Sequence, residues 1–418
     1  MNLRASVGPL GERNFRLYFL GRTTSFVGSS FANIALAFAV LDLTGSKADL
    51  GLVLAARSIP QILFLLVGGI WADRLPRHRV MVLSNIASGI SQGGIAVLLL
   101  SGQAEVWHLV LLGAINGLSS AFFFPAALGI VPQTVPKRML QSANALLSFG
   151  NNVSGLGGAA LGGLVVGLTS PGVGIAVDAA SFFLAAILLA MIRIPKTLRI
   201  EASNFLAELR EGWREFTSRT WLWVIVVQFG FCNAITVGAE GVLGPAIAKE
   251  HLGGATAWGL ILTASALGSI AGGLILLRLQ PRRLLLSATL GFLLTIPFLV
   301  GLAGPVPFLA LIALAALGGI GVETFSVLWE TTFQQEIPEE KLSRVSSYDA
   351  LGSFALIPLG LAIVGPVSEL IGTRETLLAA AAISLTATLA VLLVDDVRTI
   401  ERRDGSEPLV ESVDVVGA

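Results

Sequence analysis

The stretch GGIWADRLPRHRV, residues 68–80, concentrates charge in a chain that otherwise has little. Charged residues make up 13% of the sequence, yet Asp73, Arg74, Arg77 and Arg79 crowd together directly after the apolar run ILFLLVGGIW. An apolar run that ends in a cluster of arginines is typical of a membrane span that leaves the bilayer on its cytoplasmic side. A role in anchoring the span on the cytoplasmic side would explain the arginines, but it does not explain the acid Asp73.

The composition of the whole chain supports a membrane protein. Hydrophobic residues make up 54% of the sequence, there are 47 glycines, and the mean hydropathy is +0.81. These values predict closely packed membrane helices rather than a soluble domain. The formal net charge is zero, so bulk charge implies no nucleic-acid partner, and the single cysteine, Cys232, excludes a disulfide framework. We expect no removable signal peptide, no metal site and no cofactor.

The number of apolar stretches predicts the fold. A helix that crosses a membrane needs about 20 mostly apolar residues. We place spans near 15–41, 50–72, 80–101, 107–131, 141–168, 173–193, 221–247, 256–277, 283–303, 306–334, 343–370 and 375–395. The predicted fold class is therefore an all-α integral membrane protein with twelve transmembrane helices in two six-helix bundles. The predicted domains are an N-terminal bundle (1–195), a cytoplasmic amphipathic linker (196–220), a C-terminal bundle (221–395) and a disordered cytoplasmic tail (396–418).

The distribution of basic residues predicts the orientation. With the amino terminus inside the cell, cytoplasmic segments contain 22 of the 27 lysines and arginines, whereas the opposite side has only Lys47, Lys249 and Arg374. Cytoplasmic loops of membrane proteins are enriched in these residues. We therefore predict that both termini are cytoplasmic.

The two predicted bundles repeat one another. Gly68-Gly69, followed by Arg74-Leu75, matches Gly272-Gly273, followed by Arg278-Leu279, at an offset of 204 residues. VPKRMLQSA from Val135 matches IPEEKLSRV from Ile337 at an offset of 202. Two six-span repeats joined by a cytoplasmic linker are typical of a secondary transporter with its site between the halves. Leu277 stands where Asp73 would be repeated, so the acid belongs to one half only.

These motifs resemble a known family. Residues 69–79 are similar to the loop motif G-x-L-x-D-R-x-G-R-K/R of the major facilitator superfamily. LDLTGS (41–46), residues 121–146, GAALGG (158–163), residues 177–193 and LREGWREF (209–216) resemble the twelve-span drug:proton antiporters of the macrolide-efflux and enterobactin-exporter type. Pro76 and His78 depart from the loop motif, span five lacks the antiporter signature's proline, and span four lacks an arginine.

The resemblance assigns roles to two motifs. It implies that Asp73 helps to close the cytoplasmic side, within a gating motif of Gly69, Asp73, Arg74, Arg77 and Arg79. It also implies that Gly158, Gly162 and Gly163 form the hinge motif of span five. An electrostatic gate is physically reasonable, because a carboxylate at the end of one half stabilises the positive amino end of a helix from the other half. The alternative is a topological anchor with local ion pairs.

Ionisable residues inside predicted spans are the remaining candidates, because they are costly in a bilayer. Arg22, Glu240, Glu323 and Glu330 lie in spans that line the central cavity of major facilitator proteins, and we expect them to contribute to a proton and substrate cavity. Glu323 is the first candidate for the proton carrier, whereas snorkelling of Arg22 and simple solvation of Glu330 are alternatives. We expect Arg57 and Asp178 near the outer side, where they would form either an ion pair with each other or two separate contacts.

Together these observations predict a secondary transporter rather than an enzyme. We expect it to lie in the cell membrane as a monomer and to export small amphiphilic molecules in exchange for protons. Alternatives are a siderophore or metabolite exporter, an uncoupled facilitator, and, from other classes, a channel or a membrane enzyme. The three histidines fall in predicted loops and no phosphate-binding G-x-x-x-x-G-K-[ST] motif occurs, which argues against an enzyme.

The predicted topology is testable by cysteine labelling. In a Cys232→Ala background, a cysteine at Arg77 should react with a membrane-impermeant maleimide only after the membrane is opened. Labelling of that cysteine in intact cells would contradict the predicted topology.

Overall fold

The computed structural model describes residues 8–65, 68, 75–194 and 205–402, with the side chains of 205–209, 339–340 and 343 left out. The described chain is helical throughout. We name the helices after the predicted spans that they occupy. Spans one to six are Arg13–Thr44, Lys47–Leu63, Arg77–Leu100, Val106–Thr134, Leu140–Leu168 and Pro171–Ala190. The linker helix is Phe205–Ser218, and spans seven to twelve are Thr220–Leu252, Ala255–Arg278, Leu284–Ala303, Phe308–Glu336, Glu339–Phe354 with Ile357–Ile371, and Thr373–Val391.

Ten helices among the described residues are long and apolar enough to cross a membrane. The other two occupy predicted spans two and five. The described helix of span two has 17 residues, and the residues that would extend it are partly outside the described chain. Span five has 29 residues but carries Asn144, Asn151 and Asn152 among its glycines, which lowers its hydropathy.

Two spans are less regular than the sequence predicts. Span seven contains two π-helical turns, Ala239–Leu243 and Ala248–Leu252. Span eleven, predicted as one helix, breaks after Phe354 and resumes at Ile357. Pro358 accounts for this break, because proline has no N–H to donate and its ring clashes with the preceding helical turn.

The buried apolar residues form one core at one end of the bundle and two separate cores at the other. We call the first end the far end; it carries the connections near residues 45–46, 101–105, 169–170, 253–254, 304–307 and 372. The opposite end, which carries the linker helix, is the linker end. The far-end core combines residues of both halves, such as Phe38, Leu50, Leu243, Trp258 and Leu361. At the linker end, residues of the N-terminal half and of the C-terminal half pack in clusters of their own. The halves are therefore joined at the far end and separated at the linker end.

Glycines allow the halves to come this close. Span five packs on span eight, and span two packs on span eleven. A Cβ atom at Gly163 would lie 2.8 Å from the Ala255 carbonyl oxygen, and one at Gly365 would overlap the Lys47 carbonyl oxygen. Gly163 and Gly365 are 202 residues apart, which is the offset of the second sequence repeat. The two contacts are thus equivalent, and they relate the halves by pseudo-twofold symmetry.

The internal contacts of the halves repeat in the same way. Gly68 of the sequence repeat packs against the backbone of Ala121 in span four, and its counterpart Gly272 packs against Ile320 in span ten. Each half thus uses the same glycine position to bring its second and fourth helices together.

The linker helix forms as predicted and is attached to span eleven. Glu211 pairs with Arg344 at 2.5 Å, and Glu215 pairs with Lys341 at 2.9 Å. The rings of Trp213 and Tyr348 are 5.5 Å apart. Burial disfavours the charged form of Glu215, but hydrogen bonds from Lys341 and Arg219 outweigh it and hold the pKa of Glu215 below its usual value. The Glu215 ion pairs are therefore intact at neutral pH and are lost as the pH falls through this lowered pKa.

The glycine contact between the halves predicts a substitution that separates them. Gly163→Leu would push side-chain atoms into Gly259 and Ala255, and overpacking of this kind costs about 1–3 kcal/mol. If the Gly163 contact holds the halves together, we expect the far end to open, with a roughly tenfold or larger change in population. Spin labels on cysteines at Gln103 and Arg374, in a Cys232→Ala background, report the distance.

Gly155→Leu is the matched control. It lies in the same helix, and a Cβ there meets nothing within 4 Å. If both variants give the distance distribution of the parent chain, Gly163 does not hold the halves together.

Candidate functional site

The separate cores at the linker end imply a cleft between the halves there, which the far-end core closes at its other end. A two-state transporter would alternate between this arrangement and one in which the linker end is closed and the far end is open. The candidate site therefore consists of the contacts that seal the far end and of the polar groups along the cleft.

A carboxylate of one half holds the amino end of a helix of the other half at the far end. Glu369 of span eleven accepts hydrogen bonds from the Ser46 hydroxyl and the Ala48 backbone N–H, both at 3.1 Å. Ser46 caps span two, since its oxygen also accepts the Asp49 N–H at 3.1 Å. The positive amino end of span two stabilises the negative charge of Glu369. This contact links the two halves across the far end.

Lysines of both halves make further links across the far end. Lys249, at the end of span seven, pairs with Asp42 at 2.5 Å and donates to the Leu41 carbonyl oxygen at 2.7 Å. Lys47 lies 3.5 Å from Glu250 and donates to Thr373 at 2.9 Å. Each lysine therefore pairs with an acid of the opposite half. Partly exposed ion pairs of this kind contribute little stability singly, so they add little to the closure that the far-end core provides.

The C-terminal half contains a cavity of about 450 Å³ at its linker end. Spans seven, ten and eleven line it with aromatic rings, mainly Phe229, Phe325 and Trp329, and with the carboxylates Glu330 and Asp349. Asp349 accepts hydrogen bonds from the Trp329 indole N–H at 3.2 Å and from the Ser353 hydroxyl at 3.3 Å.

Two predicted cavity acids have no hydrogen-bond or ion-pair partner within the described chain. Glu323 of span ten is partly buried against Gly272 and Gly273 of span eight. Glu240 of span seven lies in the π-helical turn Ala239–Leu243 and is also partly buried. The adjacent Gly241 lies beside Leu54 and Leu361 of the far-end core. Such π-helical turns are frequent at functional sites. Glu240 therefore lies next to the far-end core.

Arg22 of span one is held by its own half rather than free to snorkel. Its guanidinium donates to the Tyr18 hydroxyl at 2.8 Å and lies 5.5 Å from the centre of the Phe26 ring. Tyr18 in turn donates to the Ala127 carbonyl oxygen in span four at 2.9 Å. The N-terminal half thus contributes a fixed cation.

Arg57 and Asp178 do not form a direct ion pair in the described structure. Arg57 donates to Asn33 at 3.2 Å, and Ser29, one turn away in span one, donates to Asp178 at 3.3 Å. Asp178 is fully buried, and its second carboxylate oxygen lacks a partner among the described atoms. Of the two arrangements that the sequence allows, the structure has separate contacts, joined through span one.

The predicted gating motif is described only in part. Gly69, Asp73 and Arg74 lie outside the described residues. Arg77 donates a hydrogen bond to the Gly129 carbonyl oxygen of span four, and Arg79 is exposed.

The hinge glycines of span five contact two different helices. Gly158 and Gly162 pack on Ser30 and Phe31 of span one, whereas Gly163 packs on span eight of the other half. This motif thus positions span five against both halves at once.

Sequence reasoning missed the far-end contacts. Lys47 and Lys249 were recognised only as exceptions to the charge asymmetry, and Glu369 and Asp42 were not selected. The rarity of charged residues on the less basic side could have indicated these contacts. Isolated charges at the ends of apolar spans on that side have no explanation in the topology.

Comparisons with known proteins agree with this architecture. A family model described as transmembrane secretion effector matches residues 4–412. Macrolide efflux protein A of Streptococcus pyogenes is 23% identical over 397 residues, covering 93% of this chain and 97% of that protein. Enterobactin exporter EntS of Salmonella typhimurium is 26% identical over 368 residues, covering 85% and 87%.

Solved transporters share the fold. A bacterial homologue of the human lysosomal transporter Spinster, in an inward-facing and occupied conformation, matches with a TM-score of 0.74 at 16% identity, covering 92% of this chain and 97% of its own. The nucleoside transporter NupG matches with a TM-score of 0.70 at 13% identity, covering 94% and 99%. These matches confirm the resemblance and the fold inferred from the sequence motifs.

The seal predicts the effect of neutralising Glu369. Glu369→Gln removes a charge from the amino end of span two, worth about 0.3–1 kcal/mol. We expect up to a roughly fivefold shift toward the state with the far end open, measured with labels at Gln103 and Arg374. Glu375→Gln, an exposed acid at the same end, should leave the distribution unchanged. Equal distributions for both variants would mean that Glu369 does not stabilise closure.

Proposed function

We propose that this chain, which belongs to the transmembrane secretion effector family of major facilitator transporters, exports small amphiphilic molecules by alternating access in exchange for protons. The observation that carries the proposal is the combination of one shared apolar core at the far end with two separate cores at the linker end. A channel has no need for such an arrangement, whereas a rocking transporter needs a seal that moves from one end to the other.

The charge distribution supports a linker end that faces the cytoplasm of a cell-membrane protein. With that orientation the structure is open to the inside and closed to the outside. A substrate enters the cleft from the cytoplasm or the inner leaflet, and separation of the far-end contacts releases it outside. The Asp73 motif would then hold the linker end closed in the opposite state, by the interaction that Glu369 makes here.

The names of related proteins support the direction of transport and the substrate class. Macrolide efflux protein A, multidrug efflux pump Tap and enterobactin exporter EntS are exporters by name. The aromatic cavity suits a molecule with an apolar body. A siderophore or metabolite exporter is the second candidate, because of the likeness to EntS. We propose that a monomer in the bilayer is sufficient, since each chain contains both repeats.

Glu240 is the favoured proton carrier within this proposal, ahead of Glu323. A carrier must be reachable from opposite sides in the two states. Glu240 meets this requirement next to the far-end core, because separation of that core would expose it to the outside. Glu323 lies against span eight of its own half, so movement of the halves changes its surroundings less.

Proton coupling is testable in proteoliposomes. With a pH gradient imposed across the membrane, addition of a macrolide or another amphiphile should drive proton movement that an internal pH indicator detects. Glu240→Gln should reduce this movement at least tenfold while substrate still binds, because an amide cannot take up or release the proton.

The controls separate the alternatives. Glu375→Gln should behave as the parent chain does. Loss of proton movement in Glu323→Gln, with Glu240→Gln unaffected, would make Glu323 the carrier. Substrate movement with no proton movement in any variant would identify an uncoupled facilitator. Absence of substrate movement in the parent chain, across a broad panel of amphiphiles, would contradict the proposed function.

A further inference from the structure

We propose that the cavity between spans seven, ten and eleven is a binding site for organic cations with aromatic or other apolar bodies. The inference rests on the proposed function and narrows its substrate class from amphiphiles in general to amphiphilic cations. It is carried by three features of the cavity: stacked rings, two carboxylates and a lining without basic side chains.

The rings form a continuous stack along one wall of the cavity. Phe229 and Phe325 are 4.3 Å apart and nearly parallel, and the Trp329 ring follows at 6.1 Å with an angle of 15°. Phe333 lies 6.0 Å from Trp329 and is tilted by 49° to it. Such a wall offers apolar contact area to a flat or bulky body. The preference for a positive charge comes from the carboxylates.

The carboxylates lie where a cation would enter and where it would rest. Glu330 is exposed at the edge of the cavity, and no partner for it occurs in the described chain. Asp349 is partly buried, and the Trp329 indole and Ser353 fix its two oxygens. These hydrogen bonds leave the negative charge uncompensated, because both donors are neutral.

The described lining residues include no lysine, arginine or histidine. Glu330 and Asp349 line the same cavity, and like charges there repel one another. A bound cation would relieve this repulsion, whereas an anion would increase it. The cavity volume of about 450 Å³ falls within the range of about 300–1,000 Å³ that is usual for small-molecule sites.

A pair of probes with the same shape and opposite charge tests the inference. Tetraphenylphosphonium and tetraphenylborate present four phenyl rings around a positive and a negative centre. Equilibrium dialysis against the purified full-length protein, with detergent alone subtracted, measures the binding of each. We expect tetraphenylphosphonium to bind at least tenfold more tightly.

Substitutions locate the binding. Glu330→Gln and Asp349→Asn should each weaken tetraphenylphosphonium binding about tenfold, because each removes one negative charge from the cavity. Phe229→Leu should weaken it about threefold, because it removes apolar contact area from the wall. Glu375→Gln, at the other end of the molecule, is the control for net charge. Thermal unfolding of each variant separates a lost site from a lost fold.

The outcomes distinguish this inference from the proposed function. Equal affinity for the two probes would overturn the inference, as would cation binding that well-folded Glu330→Gln and Asp349→Asn proteins retain in full. In either case, export of other amphiphiles in proteoliposomes would leave the proposed function standing. Charge-selective binding that these substitutions abolish would support the site, even if no transport followed and the proposed function failed.

Discussion

The close approach of two helix pairs at the far end is the contact on which the rest of the structure depends. Gly163 meets the backbone of span eight, and Gly365 meets the backbone of span two. In a bilayer, lipid tails are as apolar as leucine side chains, so helix association relies on close packing rather than on the hydrophobic effect. Two small contacts related by pseudo-symmetry can join the halves without merging them, which leaves the linker end free to separate.

Electrostatics at helix ends supplements this packing. Glu369 at the amino end of span two is the kind of contact that the sequence led us to expect of Asp73, but it occurs at the opposite end and from the opposite half. The two expectations fit the proposed alternating access, in which each end has closing contacts of its own. Weak, partly exposed interactions suit this role, since a seal of several kcal/mol would trap one state.

The fold was largely predictable from the sequence, because hydropathy, basic-residue asymmetry and the repeat offsets all reflect physical constraints that act along the chain. The site was less predictable. No pattern in the residues around Glu240 indicates the π-helical turn. The break in span eleven could have been predicted from Pro358. The partnership of Asp42 with Lys249 joins residues 207 positions apart, and no local periodicity indicates which ends of twelve helices will meet. Glu330 and Asp349 likewise share a cavity only because span eleven turns back beside span ten.

The repeat separates the residues that build the transporter from those that give it chemistry. Gly163 and Gly365, or Gly68 and Gly272, occupy equivalent positions and make equivalent contacts. The carboxylates of the cavity and of the loop motif do not repeat. At the offset of 202 residues, Glu330 and Asp349 correspond to Leu128 and Leu147, and at the offset of 204 residues Leu277 corresponds to Asp73. The proposed rocking would require similar packing surfaces on the two halves, and the repeated glycines provide them. Binding a charged substrate requires one wall that differs from the other, and the acids are placed in the C-terminal half while the fixed cation, Arg22, belongs to the N-terminal half. The same two-state motion would then carry different cargo in any relative that kept the glycines and changed these asymmetric positions.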